Sequence, residues 1–422
     1  MDRAVPGHRH QLGRACLQPA RRRDPRRARS QTATDQHLTR RHGIVPLRMP
    51  TMSKSVLHTS LCDDLKIEYP VFLAGMGVKG NATPPKLVAT VSEAGGMGIL
   101  GCSWLDADEV RRRIRAVRNL TDKPFGVDLL LPASMDESSV PDRAEMRARI
   151  ERDFPKQAAF GKSLSEKFGL KPVQSQLAAM SPEFIRRQVD VCLEEKIAVF
   201  AAGLGDPGWV VPLAKQANMK VMGLVGNVRN AERQKKAGVD YVIAQGYEAG
   251  GHTGTIANFP LIPMVVDAVA PTPVIAAGAI ADGRTVAAGL ALGAVGVWVG
   301  TAFLLAEESN IFPRHQEEII KGAAEDFIIT RAYTGKTARD YKNDVIKAWD
   351  ESGLKTLPMP LQGVLMDDFI AAAEAANRAE LINNPVGQIA GMLKQKRPAK
   401  EIMMSMVHGA EEVIERLSAM RK

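Results

Sequence analysis

One histidine stands in a glycine-rich segment, a combination suited to proton transfer. His252 lies within residues 245–254, where four glycines fall in the nine residues from Gly246. Glycines let a backbone turn sharply and approach a ligand closely, and an imidazole changes charge near neutral pH. The apolar run at residues 239–243 predicts a buried parallel strand before this segment. We therefore predict a proton-handling loop at the carboxyl end of a strand. The alternative is a tight turn with a solvated histidine.

Two further glycine-bearing turns follow the apolar runs at residues 273–277 and 295–299. In a closed barrel, the loops after the seventh and eighth strands often hold a phosphate through backbone N–H groups. Gly278 and Gly300 permit the close approach that this requires. Neither loop contains lysine, so backbone dipoles would hold the anion, with Arg284 a candidate counter-ion. The alternative is a pair of plain strand-to-helix turns.

The elements that must position these residues form a regular alternation. Between residues 65 and 306, eight apolar runs each precede an amphipathic or small-residue helical pattern. Strands that are apolar on both faces are typical of a closed parallel sheet. The sequence therefore predicts an α/β fold, a (β/α)8 TIM barrel. An open doubly wound sheet is the alternative, but no GxGxxG opens the first helix. The eight runs are residues 69–74, 97–100, 125–131, 197–202, 220–225, 239–243, 273–277 and 295–299.

Two regions interrupt or extend the alternation. Residues 132–180 are charged with scattered apolar anchors, which predicts a helical insertion after strand 3 that lies over one end of the barrel. Residues 307–422 contain helical runs such as 367–381 and 399–420, which predict a C-terminal helical cap. The barrel domain is thus expected at residues 65–306.

The basic charge is confined to the start of the chain. Residues 1–50 hold twelve arginines, three aspartates and no lysine or glutamate, a net +9 equal to that of all 422 residues. The remainder is therefore neutral, and we expect no nucleic-acid partner. Residues 1–50 also lack aromatic residues, which predicts a disordered basic extension. The alternatives are an Arg-rich transit peptide and an upstream start codon, with Met49 or Met52 as the true start.

Other function classes are disfavoured by composition. No run of eighteen apolar residues occurs, so we predict no membrane span. The four cysteines are far apart and form no CxxC, which predicts reduced thiols in a cytoplasmic protein and no metal site. They are Cys16, Cys62, Cys102 and Cys192.

Taken together, the motifs resemble those of the nitronate monooxygenase family, formerly called 2-nitropropane dioxygenases. The resemblance covers roughly residues 65–345 and rests on several linked stretches. These are residues 245–254, 276–283 and 300–304, the early Ala-Gly-Met-Gly at 74–77 with residues 92–98, and Thr337-Ala338-Arg339 in the cap.

The resemblance implies a function and a cofactor. FMN would bind at the carboxyl ends of the strands, and the enzyme would oxidise alkyl nitronates or nitroalkanes with O2 to a carbonyl compound and nitrite. His252 would be the catalytic base or the group that orients the substrate. Residues implied to bind FMN are Ala74, Gly75, Met76, Asp128, Gln245, Gly250, Gly251, Gly278, Ala279, Trp298, Val299, Gly300 and Thr301.

Two other functions remain open at this point. Flavin-dependent enoyl reductases and quinone reductases share these motifs, so one alternative is an NAD(P)H-dependent flavin reductase that acts on a quinone or enoyl thioester. The other is a barrel that binds a phosphorylated ligand without catalysis. The sequence leaves the oligomeric state open.

The chain departs from the family pattern at three positions. Asp128 stands where the family often has asparagine, and a carboxylate there would disfavour an anionic reduced flavin unless it is paired or protonated. Ala279 replaces the second glycine of a frequent Gly-Gly pair, and alanine resists positive φ. Leu224 stands where some relatives carry a lysine near the phosphate.

Overall fold

The computed structural model describes residues 54–77, 81–131, 142–177 and 180–421. The extension predicted at residues 1–50 lies outside these ranges, as do residues 132–141 of the predicted insertion.

Within the described residues, eight parallel strands form the barrel that the sequence predicts. Around the ring, neighbouring strands are residues 71–73, 296–299, 274–277, 241–245, 220–225, 199–204, 125–130 and 98–101, in that order. A parallel bridge between Phe72 and Met97 closes the ring, with the Leu73 amide donating to the Met97 carbonyl at 2.9 Å. The strands are β1 (Val71–Leu73), β2 (Gly98–Gly101), β3 (Phe125–Leu130), β4 (Val199–Leu204), β5 (Lys220–Val225), β6 (Tyr241–Gln245), β7 (Gly251–His252), β8 (Val274–Ala277), β9 (Gly296–Val299), β10 (Phe327–Thr330) and β11 (Ala338–Tyr341).

Helices surround the barrel and extend beyond it. They are α1 (Ser60–Leu65), α2 (Pro85–Glu93), α3 (Ala107–Arg118), α4 (Arg143–Asp153), α5 (Pro155–Lys167), α6 (Pro182–Glu194), α7 (Val211–Gln216), α8 (Val228–Ala237), α9 (Asn258–Val269), α10 (Gly283–Ala291), α11 (Thr301–Leu304), α12 (Pro313–Lys321), α13 (Asp344–Glu351), α14 (Leu361–Ala375) and α15 (Ala399–Ala419). Across the described ranges, none is long and apolar enough to cross a membrane.

The strands bury side chains on both faces, which explains their apolar sequences. Successive side chains of a strand point to opposite faces. In β9, Val297 and Val299 join the core between strands and helices, whereas Trp298 joins the core inside the barrel. The Trp298 ring stacks on Phe72 of the neighbouring strand at a centroid distance of 5.8 Å. The barrel interior is therefore filled and closed beneath its carboxyl end.

The last helix belongs to the barrel wall, which corrects its predicted place in the cap. α15 packs against α10 and α2, and its Met403, Met406 and Val407 are fully buried in the barrel's outer core. These residues recur at helical spacing and form one apolar face that needs a partner. The helix that directly follows the eighth barrel strand is only the four-residue α11. α15 therefore occupies the position of the eighth barrel helix.

The insertion and the cap pack on each other. α4 and α5 both contact α14, and Arg147 Nη2 lies 2.8 Å from Asp368 Oδ1. The cap is not wholly helical, which is a second correction. β10 and β11 pair in antiparallel fashion, and β11 also pairs with β7, the segment that contains His252. Because this pairing joins segments far apart in sequence, local helical periodicity did not reveal it.

Candidate active site

Access to solvent begins where the barrel strands end. The four residues of β8 and the four of β9 are all buried, whereas Gly278 and Gly300, which follow them, are partly exposed. Most residues of the predicted site are likewise partly exposed. The partly exposed members are Gly75, Met76, Asp128, Gln245, Gly250, Gly251, His252, Gly278, Ala279 and Gly300. The structure therefore brings these ten residues to one accessible end of a closed barrel.

The inward-facing residues at this end are mostly small. Ala74 and Ala277 belong to the core inside the barrel, and strand alternation directs Gly101 and Gly203 to the same side. Longer side chains with polar ends come from two separated strands, Asp128 on β3 and Gln245 on β6. Small residues above an apolar interior, with a polar group on each side, suit a flat ring with hydrogen-bonding edges.

His252 is positioned by the barrel and the cap together. Its backbone pairs with Ala338 of β11, and its carbonyl accepts a hydrogen bond from Gln245 Nε2 at 2.6 Å. The ring Nε2 lies 2.9 Å from Thr334 Oγ1. Burial, with a smaller effect of the Lys336 ammonium, lowers the pKa of His252 to about 4. The imidazole is therefore neutral at neutral pH, and it can accept a proton or a hydrogen bond.

Thr334 and Lys336 interact with His252, and the predicted site includes neither. Both lie in the turn between β10 and β11, where the Lys336 amide donates to Thr334 Oγ1 at 3.3 Å. Burial lowers the pKa of Lys336, and no carboxylate among the described residues forms an ion pair with it. The resemblance at residues 337–339 marked this region, but only the β-pairing shows that the preceding turn contacts His252.

Asp128 is partly exposed as a residue, but its Oδ1 is buried and its side chain lies beside Gly75. A Cβ atom added to Gly75 would lie 2.5 Å from Asp128 Cβ, so no larger residue fits there without movement. Asp128 Oδ1 is buried without a hydrogen-bond partner. Burial raises the pKa of Asp128 well above its usual range. An orphaned buried oxygen of this kind needs a partner from outside the protein, which is either a ligand atom or an ordered water.

The loop after β8 contains two successive residues in the left-handed region. Gly278 has φ +96° and Ala279 has φ +53°. Alanine therefore takes up the strained conformation that glycine would adopt freely. Asn258, which the sequence analysis missed, donates its side-chain amide to the Gly278 carbonyl, while its Oδ1 is buried without a partner. This loop is thus held in place from α9.

For four of the predicted FMN-binding residues, the structure shows contacts with other segments of the protein. Thr301 Oγ1 accepts a hydrogen bond from the Gly387 amide at 3.0 Å, and a Cβ on Gly250 would lie 2.7 Å from that amide nitrogen. The side chains of Trp298 and Val299 are buried inside and outside the barrel wall, respectively. The Val299 carbonyl accepts from the Ala74 amide at 2.9 Å and so positions the loop after β1.

Comparison with known proteins identifies the family of the chain. The nitronate monooxygenase family model matches residues 58–409. The chain belongs to that family. A Staphylococcus aureus (strain Newman) protein named "Probable nitronate monooxygenase" is 33% identical over 361 residues, covering 83% of this chain and 97% of that protein.

Two solved structures extend the likeness. A nitroalkane oxidase from Streptomyces ansochromogenes matches with a TM-score of 0.70 and 27% identity, covering 85% of this chain and all of that one. FabK from Thermotoga maritima matches with a TM-score of 0.68 and 32% identity, covering 86% and 99%. The TIM-barrel prediction is confirmed, and the chain is an oxidoreductase of the nitronate monooxygenase family. Family and neighbours together indicate a flavin cofactor.

Proposed function

We propose that the protein oxidises alkyl nitronates, or the nitroalkanes from which they form, with O2 and bound FMN, to a carbonyl compound and nitrite. The observation that carries this is the neutral His252 imidazole, held by Thr334 at the accessible end of the barrel. A neutral imidazole at this place can accept the α-proton of a neutral nitroalkane or orient a nitronate.

The residues present fit FMN. The backbone amides around Gly278, Ala279, Gly300 and Thr301 would hold the phosphate, as backbone N–H groups do at comparable barrel loops. The loop Ala74–Met76, the backbone of Gly250 and Gly251, and the side chains of Asp128 and Gln245 would line the ring. Trp298 and Val299 would support these contacts from behind. When bound, FMN supplies the electron transfer between substrate and O2.

Lys336 supplies the second part of the proposed substrate site. Its ammonium acts electrostatically on His252 and has no ion-pair partner in the described part of the chain. A nitronate is an anion, and an unpaired, partly buried cation attracts it more strongly than one in bulk water. The neutral histidine and the neighbouring lysine therefore favour an anionic or acidic substrate.

The alternative is an NAD(P)H-dependent flavin reductase that acts on a quinone or an enoyl thioester. The likeness to FabK favours it, since the identity of 32% exceeds that to the nitroalkane oxidase. In this case His252 would donate or accept a hydrogen bond at the substrate carbonyl, and NAD(P)H would be a partner.

One experiment separates the two functions. The purified protein is loaded with FMN, made anaerobic and mixed with ethylnitronate or with NADH, and the flavin absorbance is followed. Bleaching by the nitronate, followed by nitrite release when O2 enters, supports the monooxygenase. Fast bleaching by NADH with no response to the nitronate would overturn it in favour of the reductase. Denaturation and chromatography of the released cofactor tests FMN itself.

We also propose a cytoplasmic location and no nucleic-acid partner. Cys62, Cys102 and Cys192 are free and buried, which suits a reducing compartment. Fractionation of the source cells would test the location.

A further inference from the structure

Asp128 lies in a space made by two glycines. In the barrel register it pairs with Gly101 on one side and Ala201 on the other. A Cβ on Gly75 would come 3.2 Å from Asp128 Oδ2, and one on Gly203 would come 3.4 Å from Oδ1. Asp128 is therefore accommodated beside position 75 only because that position carries no side chain, and its Oδ1 lies within contact distance of position 203.

Among the described residues, no cation compensates this carboxyl group. Within that part of the chain, Asp128 Oδ1 has no hydrogen-bond partner, and burial is the one effect on its ionisation, with no contribution from a lysine, arginine or histidine. Asp128 acts on the Cys102 thiol, which lies on the loop after β2. Burial is the largest effect on that thiol and raises its pKa to about 12. Arg113 and Glu109 of α3 act on Cys102 but not on Asp128.

A carboxylate in this position would be a buried charge without a partner. Such a charge is costly, and the group usually takes up a proton instead. A protonated carboxyl group still needs an acceptor for its O–H, and Oδ1 has no hydrogen-bond partner among the described protein atoms. The nearest accessible space is the end of the barrel where the flavin is proposed to bind.

We propose that Asp128 is a protonated carboxylic acid at neutral pH that donates a hydrogen bond to the flavin ring. The second half of this inference rests on the proposed function, whereas the protonation does not. A neutral donor stabilises electron density added to the ring, and a carboxylate would oppose it. Asp128 is therefore a positioning and tuning residue that makes flavin binding and reduction sensitive to alkaline pH.

The protonation is tested first, in the protein without flavin. Infrared spectra of the parent and of Asp128→Asn are compared at pH 7, since a protonated carboxyl and a carboxylate absorb at separate frequencies. The expected difference is loss of a protonated-carboxyl band in the variant. Loss of a carboxylate band instead would overturn the proposal. Spectra of ¹³C-aspartate-labelled Asp340→Asn protein, recorded between pH 6 and 10, give the same answer with Asp128 unchanged and without the second buried aspartate, Asp340.

The hydrogen bond is tested with added FMN. Affinity, from quenching of flavin fluorescence, and midpoint potential are measured from pH 6 to 10 for the parent, Asp128→Asn and Asp128→Ala. Asparagine keeps a neutral donor, so it should match the parent at pH 7 and lack the parent's alkaline loss of affinity. Alanine should bind about tenfold more weakly at pH 7, as for one lost hydrogen bond.

The outcomes are distinct. Equal affinity of the alanine variant and the parent would overturn the hydrogen bond. A parent that binds no FMN would refute the proposed function and with it the hydrogen bond, while the infrared result would still decide the protonation. A higher potential for the asparagine variant at pH 7 would show that Asp128 is ionised in the loaded protein.

Discussion

Burial raises the pKa of Asp128 and lowers that of His252, so it favours the neutral form of both groups, but different parts of the molecule enclose them. Asp128 lies on a barrel strand and is enclosed by Gly75 and Gly203 of neighbouring barrel segments. His252 lies on β7 and contacts Thr334 of the cap. Substitutions in the cap should therefore change the environment of the His252 side chain and leave that of Asp128 unchanged. One side of the site is built into the barrel, and the other depends on docking of the cap.

The largest effect is expected at His252. His252→Ala should keep FMN bound, because other loops would hold the phosphate, and should lower turnover by roughly 10²–10⁴-fold, as for a removed acid–base group. Steady-state nitrite release with neutral nitroethane and with ethylnitronate measures this. A greater loss with the neutral substrate indicates proton abstraction, and equal losses indicate orientation. Parent-like turnover of both with FMN bound would show that His252 is not in the site.

On the barrel side, Gly75→Ala should disrupt the environment of Asp128. The added Cβ would lie 2.5 Å from Asp128 Cβ, and such overpacking costs about 1–3 kcal/mol. We expect a lower melting temperature and weaker FMN binding. Gly363→Ala on α14 is the matched control, since among the described residues its added Cβ would meet nothing within 4 Å beyond its chain neighbours and its own helix backbone. It should leave FMN binding unchanged and stabilise the helix by up to about 1 kcal/mol. If both variants bind FMN like the parent, the crowding at Gly75 has no bearing on the site.

A smaller effect is expected when the cap contact alone is removed. Thr334→Val keeps the side-chain shape but removes the hydroxyl group that contacts His252 Nε2. Loss of one such hydrogen bond should lower turnover by about 2- to 12-fold. FMN affinity and the infrared band of Asp128 should not change. Thr334→Ser keeps the hydroxyl group and should restore most of the activity. An altered Asp128 band in the valine variant would contradict the separation of the two sides.

The smallest effect concerns stability within the cap. Asp340 of β11 is buried, its Oδ1 has no partner, and burial raises its pKa from 3.8 to about 7. Between pH 4 and 7 the unfolded chain releases this proton while the folded chain keeps it, so the residue's contribution to stability falls as pH rises through that window. Asp340→Asn should remove this slope and melt a few degrees higher than the parent at pH 8. Identical melting curves at pH 5 and 8 for both proteins would exclude the buried acid.

Much of the barrel was predictable because its signals are local. β5 occupies residues 220–225, the range that the sequence predicts. The glycine-bearing turns at Gly278 and Gly300 also lie where predicted, because strand and helix lengths determine where turns occur. By contrast, the place of α15 depended on which surface its apolar face would cover, and periodicity alone does not reveal that.

The candidate site also combines features that the sequence predicts with features that it does not. The residue types of Asp128, Gln245 and His252, and their places at or beyond the carboxyl ends of the predicted barrel strands, follow from the sequence. Their protonation and their partners do not, because both depend on burial by distant segments. His252 and Thr334 are 82 residues apart along the chain, and the turn that contains Thr334 shows no motif of its own.

The sequence by itself determined a parallel barrel, its glycine-rich carboxyl end and the set of residues that reaches it, because alternation and turn chemistry act over a few residues. The tertiary structure decided that β11 pairs with β7, that α15 completes the barrel wall, and that burial favours the neutral forms of His252 and Asp128. The physical reason is that pairing and desolvation are set by which surfaces meet in space, and the free energy of a buried charge depends on every group around it.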